Sequence, residues 1–213
     1  MANKVADVTL SFRVKQHALD LNDQDKEQYA IIGYFVSRFS SLDYHLDTLI
    51  FTFAEIYPVI TRSISKHYPV DYRSKIDFLI DCITAKAFLR ECGDAEGMFD
   101  LNILAFGLEE IFSFRNILIH SKIIMTERKQ DKLVFQVRKY SRLQYQTGAF
   151  SVEEYRYSGG YVSYLLDQIE YHESTLIRLT ELLHGVDVAK ERDALLRGRS
   201  RIKEIAQNLS IGV

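Results

Sequence analysis

The sequence predicts a mainly α-helical domain with a β-hairpin inserted behind its central helix, and three observations lead there. Apolar residues recur at intervals of three and four over most of the 213 residues, the spacing of one helix face. The stretch Asp100 to Lys122, DLNILAFGLEEIFSFRNILIHSK, is apolar on more than one side, and a helix of that kind is buried on more than one side. Directly after it, KIIMTER and LVFQVRKY are rich in β-branched and aromatic residues and flank a polar Lys129-Gln130-Asp131-Lys132, which reads as a hairpin.

Residues 5 to 21 are ambiguous. Val8, Leu10, Phe12 and Val14 alternate with polar residues as in a strand, yet a short helical lead-in fits equally. The run Asn22-Asp23-Gln24-Asp25 suits the first turn of a helix, where carboxylates oppose the macrodipole. That helix runs to about Tyr57, where Pro58 stops it. Its apolar stripe is Ile32, Val36, Phe39, Leu46, Ile50 and Phe53, and Asp43 stands inside the stripe. Residues 58 to 73 carry both prolines and read as a connection with one helical turn. Ser74 to Leu89 is a second amphipathic helix, with Ile76, Leu79, Ile80 and Ile83 inward.

Gly93-Asp94 marks a turn before the central helix. One stripe of that helix is Leu104, Leu108, Ile111 and Leu118, with Arg115 among them; a second is Phe99, Ile103, Phe106, Phe114 and Ile117. Between the stripes runs a polar seam of Glu109, Ser113, Asn116 and His120. Beyond the hairpin (about 122–146), Ser151-Val-Glu-Glu154 matches a capping box. Tyr161 to Leu183 is a further long helix that Gly185 caps. The expected organisation is one helical domain over 1–185 and a weakly apolar helical extension over 186–213, with an RGRSR cluster at Arg197, Arg199 and Arg201.

Composition narrows the function classes. The 47% hydrophobic and 26% charged shares are those of a globular domain, and a net charge of −2 excludes a uniformly basic nucleic-acid coat. Cys82 and Cys92 form no CxxC and have no His-rich neighbour, so they read as free thiols in a reducing, cytoplasmic setting, with no metal site. No apolar h-region and no 18-residue apolar run is present, so neither a secretory signal nor a membrane span is expected. Gly-rich phosphate loops, a GxSxG elbow and HExxH are all missing. No cofactor is therefore expected, and the chemistry is left to the central helix.

There Arg115-Asn116-Ile117-Leu118-Ile119-His120 resembles the Arg-(four to six residues)-His motif of the HEPN superfamily (higher eukaryotes and prokaryotes nucleotide-binding domains), in which Asn commonly follows the Arg. The helical order resembles it too, over Gln28 to Leu183: a long helix with an internal acidic residue, a shorter one opening near Ser74-Lys75, then the motif near the end of a third. The resemblance implies an HEPN-like helical bundle. It also implies metal-independent RNA cleavage of the toxin or antiviral-defence kind by a homodimer, leaving 2′,3′-cyclic phosphate and 5′-hydroxyl ends. In that scheme Arg115 holds the scissile phosphate, His120 is the general acid or base, and Asn116 orients one of them or the phosphate. An antitoxin or other regulatory protein is an implied partner. One toxin subgroup has tyrosine two residues after the histidine; Lys122 stands there in this chain. The other reading of the resemblance is a catalytically silent HEPN module, a dimeric interaction or nucleotide-binding protein.

Several expectations surround the motif. In a regular helix Arg115 and His120 are separated by about 140°, so either the helix distorts or the pair works with other groups. A carboxylate and a guanidinium within apolar stripes both need partners, so Asp43 is expected to pair with Arg115. Glu109 and Ser113 are supporting seam residues, while His45, His67, His172 and His184 are solvated or packing residues. Seven basic residues (Lys122, Arg128, Lys129, Lys132, Arg138, Lys139, Arg142) face only Glu127 and Asp131 between Lys122 and Arg142, a basic hairpin suited to RNA. Tyr140 and Tyr145 lie among them and are placed to stack on unpaired bases. The second apolar stripe exceeds what neighbouring helices cover and is the expected dimer surface.

Overall fold

The computed structural model describes residues 23–94, 99–129, 132–142, 150–185, 196–198, 200–204 and 207. Among the described residues the elements follow in the order α1 (Asp23–Ile56), α2 (Pro58–Ile64), α3 (Tyr72–Ala85), α4 (Ala87–Asp94), α5 (Leu101–His120), β1 (Ser121–Lys129), β2 (Lys132–Arg142), β3 (Phe150–Ser158) and α6 (Gly159–Leu183), the strands forming one antiparallel sheet. The region of residues 5 to 21 lies outside the described residues.

α1 ends where expected. Pro58 has no N–H to continue it and instead opens α2, a position that leaves no helix donor unmet. Along α1 the predicted stripe is joined by Phe35, Leu42 and Leu49, seven residues apart and fully buried. The predicted helix over Ser74 to Leu89 is two helices. Asp71 caps α3 by accepting from the Ser74 N–H at 2.9 Å, and Lys86 breaks it with extended backbone. The Lys86 ammonium lies 3.8 Å over the Tyr57 ring, a cation–π contact that fixes the break against the end of α1.

α5 is central. Asp100 caps it, its Oδ1 accepting from the N–H groups of Asn102 and Ile103 at 3.0 and 3.2 Å. Leu104, Leu108, Ile111 and Phe114 are buried against the other elements. Phe114 meets Phe35 of α1 edge to face at 4.9 Å and Tyr157 of β3 at 4.8 Å, so helix and sheet share one aromatic core. Gly107 lets α6 close on α5, because a Cβ there would lie 1.9 Å from His172 Nε2.

The hairpin is present and grows into a three-stranded meander of order β1-β2-β3. Ser151 to Glu154 do not cap a helix; they lie inside β3, paired with Ser141 to Arg138 of β2. Tyr155 and Tyr157 point to the core at strand spacing, and burying two rings on the fully buried Phe135 and Val137 of β2 outweighs a local capping preference. The helix start moves to Ser158, whose hydroxyl accepts from the Tyr161 N–H at 3.2 Å. Gly185, at φ +81°, closes α6 as expected. Residues 196–198 and 200–204 are helical, and Ile202 is buried at 4% exposure, so part of the extension packs on the bundle. Among the described residues no helix is long and apolar enough to cross a membrane. Cys82 and Cys92 are buried free thiols.

Candidate active site at the end of α5

α5 stays α-helical through His120, so no distortion turns Arg115 and His120 to one side. Asn116 makes the link instead. Arg115 Nη1 donates to Asn116 Oδ1 at 3.0 Å, and Asn116 stands one turn before His120 on a shared face. The guanidinium carbon lies 5.4 Å from the centre of the Phe39 ring on α1, which sets the arginine's plane from the other side. Arg115 Nε is buried and, among the described residues, has no acceptor. His120 is exposed at the helix end, and Ser121 then turns the chain into β1. The Ser121 hydroxyl is likewise buried without a partner among the described residues.

Of the supporting seam, Glu109 is half-buried and Ser113 exposed. Asp43 is not Arg115's partner. Lys75 of α3 lies 2.9 Å from Asp43 Oδ1 and 2.8 Å from Asp47 Oδ1. Asp43 and Asp47 are one turn apart, so a single ammonium serves both carboxylates. Lys75 is itself buried, and the two carboxylates hold its pKa up against that burial. Tyr72 packs on Phe39 and stacks at 4.8 Å on Phe112 of α5, which puts an aromatic cluster at the junction where the Asp43–Arg115 pair was expected.

The sheet carries the basic residues in part. Lys122 is exposed and sits opposite Arg138, which sits opposite Glu154, making one row across the three strands. Arg138 is bound by Glu154, Nε to Oε1 at 2.8 Å, and Gln136 donates to Oε2 of the same carboxylate at 2.8 Å. Lys139 is half-buried between Ser121 and Glu153 in register. The basic patch is therefore partly neutralised by Glu153 and Glu154, which a helical reading of that segment had placed elsewhere. Arg128, Lys129, Lys132, Tyr140 and Arg142 have backbone in β1 and β2, with side chains outside the described residues; Tyr145 is wholly outside them. A bulge between Ile123 and Met125 sits just past Lys122, where it changes the twist of the strand leaving the motif.

The second apolar stripe of α5 is mostly covered from within the chain. Phe99 and Phe114 are buried, Ile103 and Ile117 half-buried, and Phe106 alone is largely exposed, at 70%. The inner face of α6 and the β3 strand supply the cover that the expectation of a large free stripe left out.

Two polar clusters, around Glu110 and Glu173, went unread in the sequence, while His172, expected as a solvated or packing residue, is a packing one. Glu110 accepts from the hydroxyls of Tyr161 and Tyr164 at 3.0 and 3.2 Å. Glu173, buried on α6, pairs with Arg38 and accepts from Ser41, with His45 Nε2 at 3.7 Å. His172 is fully buried, neither ring nitrogen has a partner among the described residues, and burial depresses its pKa to about 3. The signal for two of them is a polar residue at core spacing: Glu173 lies four after Ile169, and His172 four before Leu176. Comparison with the profiles of known families, with curated proteins and with solved structures returns no match to this chain.

Proposed function

We propose that this chain is a metal-independent endoribonuclease of the HEPN type, acting as a homodimer on RNA and held in check by a regulatory protein. The observation that carries this reading is the Arg115–Asn116 bond one turn below an exposed His120. Arg115 keeps a buried N–H donor with no acceptor among the described residues, five residues along α5 from the exposed imidazole, and an oxyanion is the natural acceptor for a guanidinium. The RNA 2′-oxygen attacks the adjacent phosphorus, forming the P–O2′ bond as the P–O5′ bond breaks. His120 takes the 2′-hydroxyl proton or gives a proton to the departing 5′-oxygen, water completing the other transfer, and Arg115 stabilises charge on the phosphate oxygens. Lys122, exposed two residues beyond His120, would draw the strand toward the motif. Ile119, exposed in the last turn of α5 next to His120, is the apolar side chain on which a second copy would rest.

Purified protein incubated with a structured and an unstructured RNA in excess chelator tests this. The expected result is fragmentation by the unmodified protein and none by His120→Ala. Intact RNA after incubation with the unmodified dimer would leave a silent HEPN module as the account of the fold.

A further inference from the structure

A cavity of about 310 Å³ lies at the opposite end of α5 from the motif. Its walls come from the first three turns of α5, from Tyr164 and Gln168 of α6, and from Ile202 and Lys203 of the C-terminal segment. Ten residues separate Glu110 from His120 along α5, roughly 15 Å of helix, so this is a different place from the candidate active site.

Beside the Asn102 amide and the Lys203 ammonium, the polar groups of the cavity include two acceptors with spare capacity, Glu110 and Gln168. Glu110 receives two phenol hydrogen bonds, and a carboxylate has room for about two more. Gln168 is 5% exposed; its Nε2 donates to Tyr164 Oη at 2.8 Å, while its Oε1 has no donor among the described residues. The orientation of that amide is fixed by its neighbour: the Tyr164 hydroxyl has one proton, given to Glu110, so it accepts from Gln168. An anion is poorly served here, because Asp100 already takes the free N–H groups at the start of α5. Lys203 contributes one positive charge against Asp100 and Glu110. Ile103, Phe106 and Ile202 give apolar walls, and the exposed Phe106 ring offers a face for stacking or cation–π contact.

We infer that this cavity binds a small organic cation, an amine or amidine on an apolar body, with its N–H groups directed to Glu110 and its body against Ile103 and Phe106. The probe is benzamidinium, and benzamide is its uncharged counterpart of the same shape. Amide signals of the full chain are followed by NMR during titration with each. The expected result is a saturable shift at Ile103, Phe106 and Gly107 with benzamidinium. Binding should weaken roughly tenfold in Glu110→Gln, as loss of a charge-assisted hydrogen bond predicts. Phe106→Ala, at an exposed position that cannot disturb the fold, should also weaken it. No saturable shift up to about 10 mM, the weak limit of specific binding, or equal binding of benzamide, overturns the inference. RNA cleavage by the Glu110→Gln protein is measured alongside; its persistence separates this site from the motif.

Discussion

Arg115 is tethered to Asn116, its neighbour in the chain, at 3.0 Å, and this short link joins two faces of a helix that would otherwise hold the guanidinium and His120 apart. In the proposed mechanism, a motif with four residues between its charged ends works through the residue directly after the arginine. Phe39 and the Asn116 amide fix the guanidinium from two sides, which is preorganisation of the kind that makes fixed donors effective on developing charge.

Substitution should rank the three residues. His120→Ala and Arg115→Ala are each expected to lower the cleavage rate by about 10²–10⁴. Asn116→Ala should cost less, about 10-fold, because it frees the guanidinium without removing it. Single-turnover rates on one RNA substrate check the order; an Asn116→Ala loss as large as that of Arg115→Ala would refute the tethering role.

Lys75 should matter to stability. Lys75→Ala leaves Asp43 and Asp47 facing each other without the ammonium. Both carboxylates are about a third exposed, which limits the penalty, so about 1–2 kcal/mol is expected in urea unfolding. Asp43→Asn should cost less, since Asp47 still holds the lysine. Unfolding midpoints that do not move in Lys75→Ala would show the cluster to be inert.

The helices were legible because α1, α5 and α6 each carry long apolar stripes and a clear boundary, α1 and α6 ending at Pro58 and Gly185 and α5 starting at Asp100. β3 was hidden because Ser151 and Glu154 have the spacing of a capping box, while the stronger signal, Tyr155 and Tyr157 two apart, depends on a core that only tertiary pairing with Phe135 and Val137 creates. The buried partner of Asp43 followed the same pattern. That a carboxylate in an apolar stripe needs a cation was readable; that the cation is Lys75 was not. Lys75 lies three before Phe78 and four before Leu79, so it too occupies a stripe, and only the packing of α3 on α1 decides between it and Arg115.

The contact between Gly107 and His172 should behave as a lock. Gly107→Ala places a methyl group 1.9 Å from Nε2, and an expected loss of about 1–3 kcal/mol follows from overpacking. Adding His172→Ala should restore part of that loss, a coupling that a double-mutant cycle measures directly. Strict additivity would mean the two residues do not meet.

His172 should also set acid stability. Its folded pKa, about 3, lies below the ordinary value of 6.5, so the unfolded chain binds the extra proton between those values. Stability contributed by the neutral ring is then full above pH 6.5 and falls as pH drops toward 3, by on the order of 4 kcal/mol. His172→Leu removes this slope; urea midpoints at pH 7 and pH 4 should lie closer together in the variant than in the parent.

Self-association should depend on the exposed apolar residue at the motif end of α5. Ile119→Glu puts charge on a position 44% exposed, leaving the monomer fold intact. Sedimentation at micromolar concentration is expected to show a dimer for the parent and a monomer for the variant. A monomeric parent under those conditions would remove the shared cleft from the mechanism.

The most direct measurement is of the bond that is cut. An RNA carrying a single 2′-deoxy substitution at the scissile nucleotide is incubated in chelator, beside its all-ribose counterpart. The account predicts cleavage of the counterpart to 2′,3′-cyclic phosphate and 5′-hydroxyl ends, abolished by the 2′-deoxy group and by His120→Ala. Cleavage of the 2′-deoxy strand at the same bond, or 3′-hydroxyl and 5′-phosphate ends, would contradict it.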